Sequence, residues 1–339
     1  MGVQNSPRSF NTVIKSNREQ RAKRHRRERT ALLSICTVII LILLTLIVLL
    51  ICSIADAFGA NAGGKLPGNT PGETDTGDPA EADYVQITWE SSKVNNGVLL
   101  VVNDDHFFDP ATVTDLIDMK ENRTQINGAN PYQLNLTLAK QMHAEAFSYM
   151  EKMMQKYYEI SDGDGSVMIK YAYRTLEDQA ALPSSSVEAG YSDHHTGCCI
   201  ALHDGSTPQN PPALSSNHWI YYNCHKFGFI QRYPVGKESA TGVDSYEHCF
   251  RYVGIPHATY ITSNGLCLEE YVELLKSTYT ANNRLSITGA DGIAYEVYYV
   301  PVANTELTTI SVPRNGNYSI SGDNIGGFIV TVNLGTPNA

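Results

Sequence analysis

Residues 192–202 read SDHHTGCCIAL. A serine, an aspartate and two histidines lead into Gly197, and CCIAL at 198–202 has the length and composition of a short buried strand. Side chains alternate along a strand, so Cys199 and Ala201 share one face. A histidine ahead of a strand with donor side chains on one face has the layout of a zinc site. Ala201, the seventh residue after His194, offers no donor at all. Of the two side chains on that face, only Cys199 carries a donor for a metal.

Working outward, VLLVVN at 98–103 reads as a buried strand. Residues 132–158 place Leu138, Met142, Phe147, Met150 and Met154 at steps of three to five, which predicts a helix with those residues as core. VMIKYAYR at 167–174 alternates as a strand, 217–228 reads as helical, FRYVG at 250–254 as a strand and LEEYVELLK at 268–276 as a helix. From 283 to 333 the chain becomes β-rich, with runs punctuated by Gly and Asn that suggest an antiparallel sheet. The sum is an α+β fold.

The net charge of −10 over 339 residues conceals an asymmetry. Residues 1–30 carry nine Lys/Arg against Glu19 and Glu28, a local +7 that leaves −17 for the rest. That acidic remainder argues against nucleic acid as a partner and against docking on anionic lipid. The basic run precedes ALLSICTVIILILLTLIVLLICSIA at 31–55, which has no charged residue. At ~1.5 Å per residue such a helix crosses a bilayer core of roughly 30 Å. It is longer than the apolar region of a cleaved signal peptide. The flanking charge predicts a single-pass anchor in the cell membrane, N-terminus cytoplasmic and the remainder outside. The composition of residues 56–83 predicts a flexible Gly/Pro/Thr stalk. Five cysteines lie beyond the anchor, an odd number that a fully paired disulfide framework does not have.

YRTLEDQ at 173–179, YSDHHTG at 191–197, HKFGFIQRYP at 225–234, FRYVG at 250–254 and NGLCLEEY at 264–271 occur in one order and spacing. In these segments the chain resembles the VanY-type D-alanyl-D-alanine carboxypeptidases over about residues 95–280. The resemblance implies a LAS-type fold, the hedgehog/D-Ala-D-Ala peptidase-like architecture, for a domain at 84–280. The β-rich stretch at 281–339 is then a C-terminal extension. It also implies one zinc ion held by two histidines and an aspartate, with a glutamate as general base. The implied substrate is a peptidoglycan stem peptide ending in D-Ala-D-Ala, its carboxylate paired with an arginine.

Position by position, Ser192 and His194 match the signature serine and first zinc ligand, and Arg174 the substrate arginine. The aspartate position is Ala201, the second histidine position is Cys249, and the base position is Tyr246. A tyrosine, with a pKa near 10, is a poor base at neutral pH. Three arrangements stay open: a site that has lost catalysis, a rebuilt His194–Cys199–Cys249 metal set with Glu247 or His248 as the base, or a Cys199–Cys249 disulfide across the site. A Cys249 nucleophile assisted by His194 or His248 is a fourth, lesser option. The changes set zinc in doubt for this chain. The expected role is binding or trimming stem peptides, with a structural part in a membrane complex as a further alternative. His195 is expected to point to the surface.

Overall fold

The computed structural model of the protein describes residues 84–183, 186–203, 219–314 and 316–336. The basic tail, membrane anchor and stalk read at 1–30, 31–55 and 56–83 lie outside the described residues. Among those described, no helix is long and apolar enough to cross a membrane.

Thirteen strands organise the described chain. In order they are β1 (Tyr84–Glu90), β2 (Leu116–Asp118), β3 (Gln133–Leu134), β4 (Gln141–His143), β5 (Met168–Tyr171), β6 (Cys199–Leu202) and β7 (Phe229–Tyr233). Then come β8 (Tyr246–Tyr252), β9 (Leu285–Thr288), β10 (Ala294–Pro301), β11 (Leu307–Pro313), β12 (Tyr318–Gly322) and β13 (Gly327–Gly335). A five-stranded sheet in the order β3-β5-β6-β8-β7 carries the site. Only its β3–β5 pair is parallel. A four-stranded antiparallel sheet, β12-β13-β10-β9, is built from the β-rich C-terminal residues, and β1 pairs with β11 along its whole length.

The central strand β6 is buried over all four residues. Ile200 and Leu202 join the large core beneath the Ala144–Ile160 helix, which contributes Phe147, Met150 and Met154. Alternation sends Cys199 and Ala201 to the opposite face, where Cys199 packs with Cys249 and Tyr233. The register sets Ala201 beside Cys249 and Cys199 beside Arg251.

The helix starts later than the sequence spacing suggests. Residues 132–143 form β3, a turn and β4, and Leu138 is 41% exposed instead of core. VLLVV at 98–102 also differs from expectation. Leu99, Leu100, Val101 and Val102 are buried, yet the run belongs to no sheet. Four of its five carbonyls accept from side chains: Arg251 donates to Val98 and Leu100, Arg232 to Val102, and Asn324 to Val101.

Those arginines belong to a buried charge cluster. Arg251 Nη1 donates to Asp193 Oδ1 at 2.5 Å, and Arg232 forms a bidentate pair with Glu269 at 2.9 and 2.6 Å. Arg232 Nε lies 3.1 Å from Asp193 Oδ2, near enough to pair charge but not aligned for a hydrogen bond. Burial alone would lower the Arg232 pKa; Glu269 and Asp193 outweigh it and raise it well above the usual value. Two positive and two negative groups leave the cluster neutral. Asp193→Asn strands both arginines against one remaining carboxylate. It is expected to destabilise the fold by about 3–5 kcal/mol, read as a fall in the urea midpoint.

A second buried joint links the Ile255–Ser263 helix to β13. His257 sits between Tyr271 Oη (2.7 Å) and Thr331 Oγ1 (2.9 Å). Burial lowers its pKa to about 3. The unfolded imidazole takes its proton near pH 6.5 and the folded one does not, so this residue's contribution is complete above about pH 6.5. It is lost toward pH 3 at about 1.4 kcal/mol per pH unit. Stability of His257→Gln should therefore fall less steeply than that of the parent between about pH 6.5 and pH 4, measured by urea titration at each pH.

Candidate functional site

The SDHHTG turn is a single 3-10 turn, Asp193–Thr196, closed by Gly197 at φ +70°. A side chain at 197 would meet Leu116 Cδ2 at 2.9 Å and the His143 backbone nitrogen at 3.1 Å, so the position requires glycine. The turn sends Asp193 into the charge cluster and sets His194 near the β6–β8 pair.

His194 Nδ1 lies 2.8 Å from the Ala172 carbonyl. A carbonyl only accepts, so Nδ1 carries the proton and Nε2 keeps its lone pair. Burial first, and the Arg174 charge second, hold the imidazole well below its usual range, and it is neutral. One ligand atom each from His194, Cys199 and Cys249 lies within 4.8 Å of the other two, and all three residues are buried. The two sulfurs are 2.7 Å apart, and both cysteines are free thiols. Burial, then the neighbouring Cys249, raise the Cys199 thiol well above its ordinary pKa.

Arg174 lies on the loop after β5 and is clamped at several points. Its N–H donates to the His194 carbonyl (3.3 Å) and its carbonyl accepts from His195 Nδ1 (2.8 Å). Its guanidinium stacks over Tyr171 at 4.2 Å and donates to Gln179 Oε1 at 2.9 Å. Gln179 sits in the Leu176–Ala180 helix, whose Thr175/Asp178 capping box fixes the turn after Arg174. Burial lowers the Arg174 pKa, while Tyr171, Cys199, Cys249 and Tyr246 oppose the shift, which places the cation beside the cysteine pair.

Ser192 is buried at the head of the turn, its carbonyl accepting from the His195 N–H at 3.0 Å. Tyr246 is half-buried and packs against Cys199, Tyr233 and Cys249. Glu247 is exposed and stands outside the ligand group. His248 is held by the Tyr221 hydroxyl at 2.6 Å, on the side of Phe250. His195 is inside the protein, not at the surface: its Nε2 accepts the Gly190 N–H at 2.9 Å. With Nδ1 bonded to Arg174, that histidine is a structural strut. Gln179, Tyr171 and His195 were not readable as site residues. The Thr-x-x-Asp spacing at 175–178 was the available signal for the helix that holds Gln179.

A zinc centre of the kind the resemblance implies does not fit this donor set. Ala201 presents a methyl group directly across from Cys249. Among the described residues, the converging donors are one imidazole and two thiols, with no carboxylate.

A protein-family model for VanY, D-alanyl-D-alanine carboxypeptidase, matches residues 139–255. A D-alanyl-D-alanine carboxypeptidase of Enterococcus faecium is 33% identical over 251 residues, 72% of this chain and 78% of that protein. One from Enterococcus faecalis is 33% identical over 123 residues, 36% of this chain and 45% of that protein. Among solved structures, the vancomycin-resistance D,D-dipeptidase VanXYg, in complex with a D-Ala-D-Ala phosphinate analogue, superposes with a TM-score of 0.61. It has 28% identity and covers 74% of this chain and 99% of its own. The resemblance in the SDHHTG, FGFIQRYP and FRYVG segments thus extends through the fold, and the chain belongs to the D-alanyl-D-alanine carboxypeptidase family.

Proposed function

We propose that this chain binds D-Ala-D-Ala termini of peptidoglycan stem peptides and does not cleave them by the family's zinc scheme. The carrying observation is the pairing of Ala201 with Cys249 at the centre of the site. Two of the three family ligand positions carry other residues, Ala201 and Cys249. Tyr246 stands at the base position, and Glu247 is exposed outside the donor group.

What remains supports recognition. Arg174 is a half-buried cation with its planar face on Tyr171 and one edge on Gln179. A guanidinium fixed in this way accepts a carboxylate with little loss of side-chain entropy. Residues 31–55 would anchor the chain in the cell membrane, and the Gly/Pro/Thr stalk would let the domain reach the wall.

The convergence of His194, Cys199 and Cys249 favours a second reading, hydrolysis through a rebuilt metal site. D-alanine release separates the two. The full-length chain is expected to bind a pentapeptide ending in D-Ala-D-Ala, measured by calorimetry, and to release no D-alanine above a protein-free control. Arg174→Ala should weaken binding about 10- to 100-fold. Unchanged affinity in that variant would remove Arg174 from recognition. D-alanine release by the parent chain that disappears in Cys249→Ser would overturn the non-hydrolytic reading.

A further inference from the structure

We propose that His194, Cys199 and Cys249 form a binding site for a thiophilic d10 cation, Cu(I) or Zn(II), in place of the family's hydrolytic centre. Cys199 occupies no ligand position of the family pattern. It enters because it lies on the same strand face as Ala201, one strand repeat earlier, and diagonal to Cys249 across the β6–β8 pair. The strand that lost a carboxylate at 201 thus supplies a thiol at 199.

Three features of the set point to a soft ion. Two sulfurs and one imidazole nitrogen are the donors that favour Cu(I) and Zn(II) over oxygen-seeking cations. The imidazole is already fixed at one end, because its Nδ1–H is held by the Ala172 carbonyl, which leaves Nε2 as the unprotonated nitrogen. Metal-bound histidines are commonly fixed through the far ring nitrogen in this way. The residues are also shielded: Cys199 and Cys249 are 0% and 1% exposed.

The metal-free sulfurs stand closer together than those of an occupied site. Zinc–sulfur bonds of about 2.3 Å hold two thiolates about 3.7 Å apart at a tetrahedral centre. The sulfurs stand at 2.7 Å, so they must separate by about 1 Å, a χ1 adjustment of two side chains. On binding, each thiol gives its proton to solvent as its sulfur–metal bond forms, and the neutral imidazole gives none. Two thiolates balance Zn(II) and leave Cu(I) one negative charge, which Arg174 faces. Cu(I) is satisfied by three donors. Zn(II) takes a fourth.

The test uses the full-length chain, reduced and kept under argon. It is titrated separately with Zn(II) alone and with Cu(I) alone against a chromophoric chelator, with native mass spectrometry reading the stoichiometry. One metal per chain is expected for at least one ion, with two protons released per metal in unbuffered solution. Cys199→Ser and Cys249→Ser should each lose that stoichiometry, whereas Cys198→Ser, whose thiol lies on the opposite strand face, should keep it. Circular dichroism and the urea midpoint verify that each variant is folded. No uptake of either ion by the folded parent chain overturns the site, as does uptake that survives both Cys199→Ser and Cys249→Ser. Peptide affinity is read separately, so failure of this site leaves the Arg174 clamp standing, and the reverse.

Discussion

The buried Asp193–Arg251–Arg232–Glu269 cluster is the constraint on which the rest of the domain depends. Its members come from four stretches far apart in the chain: the turn at 193, β7 at 232, β8 at 251 and the Leu268–Thr278 helix at 269. Removing four charged groups from water is expensive, and only mutual pairing offsets it. A chain that fails to bring all four together leaves an uncompensated charge inside. The cluster therefore specifies one arrangement of these segments. Its guanidinium groups also supply the hydrogen bonds that 98–102 lacks for want of a neighbouring strand.

This arrangement separates the scaffold from the chemistry. Asp193 and His194 are adjacent in one turn but face different surroundings, the first the charge cluster and the second the cysteine pair. Substitutions at 201 and 249 change donors on one face of β6 and β8 while the other face keeps its packing on the Ala144–Ile160 helix. A family member can in this way lose the ligands of a hydrolytic site and keep its cleft. The Arg174 clamp is independent again, built from Tyr171, Gln179 and the His195 strut.

The two proposals share a physical basis. A site with soft donors, a neutral imidazole and no carboxylate among the described residues suits holding an ion more than activating water. The cation beside it suits holding an anionic peptide end. Neither role asks for a general base.

Much of this was legible in the residues alone. Two-residue alternation set Cys199 and Ala201 on one face of CCIAL, and the motif segments pointed to the family and to His194, Cys249 and Arg174 as candidate site residues. Local pattern failed where a partner distant in sequence decided the outcome. VLLVV has the composition of a strand, yet arginines from β7 and β8 and Asn324 take up its carbonyls. Leu138 fits a helical spacing, but the β3–β4 turn interrupts it. The second histidine of DHHT was expected at the surface; a 3-10 turn, unlike a strand, puts consecutive side chains on neighbouring sides, so both histidines are buried. Sequence thus named the donor groups His194, Cys199 and Cys249 but not the residues that brace Arg174. Only tertiary packing decided that Cys199 and Cys249 touch, because the antiparallel β6–β8 register, not their separation of 50 positions in the chain, sets that distance.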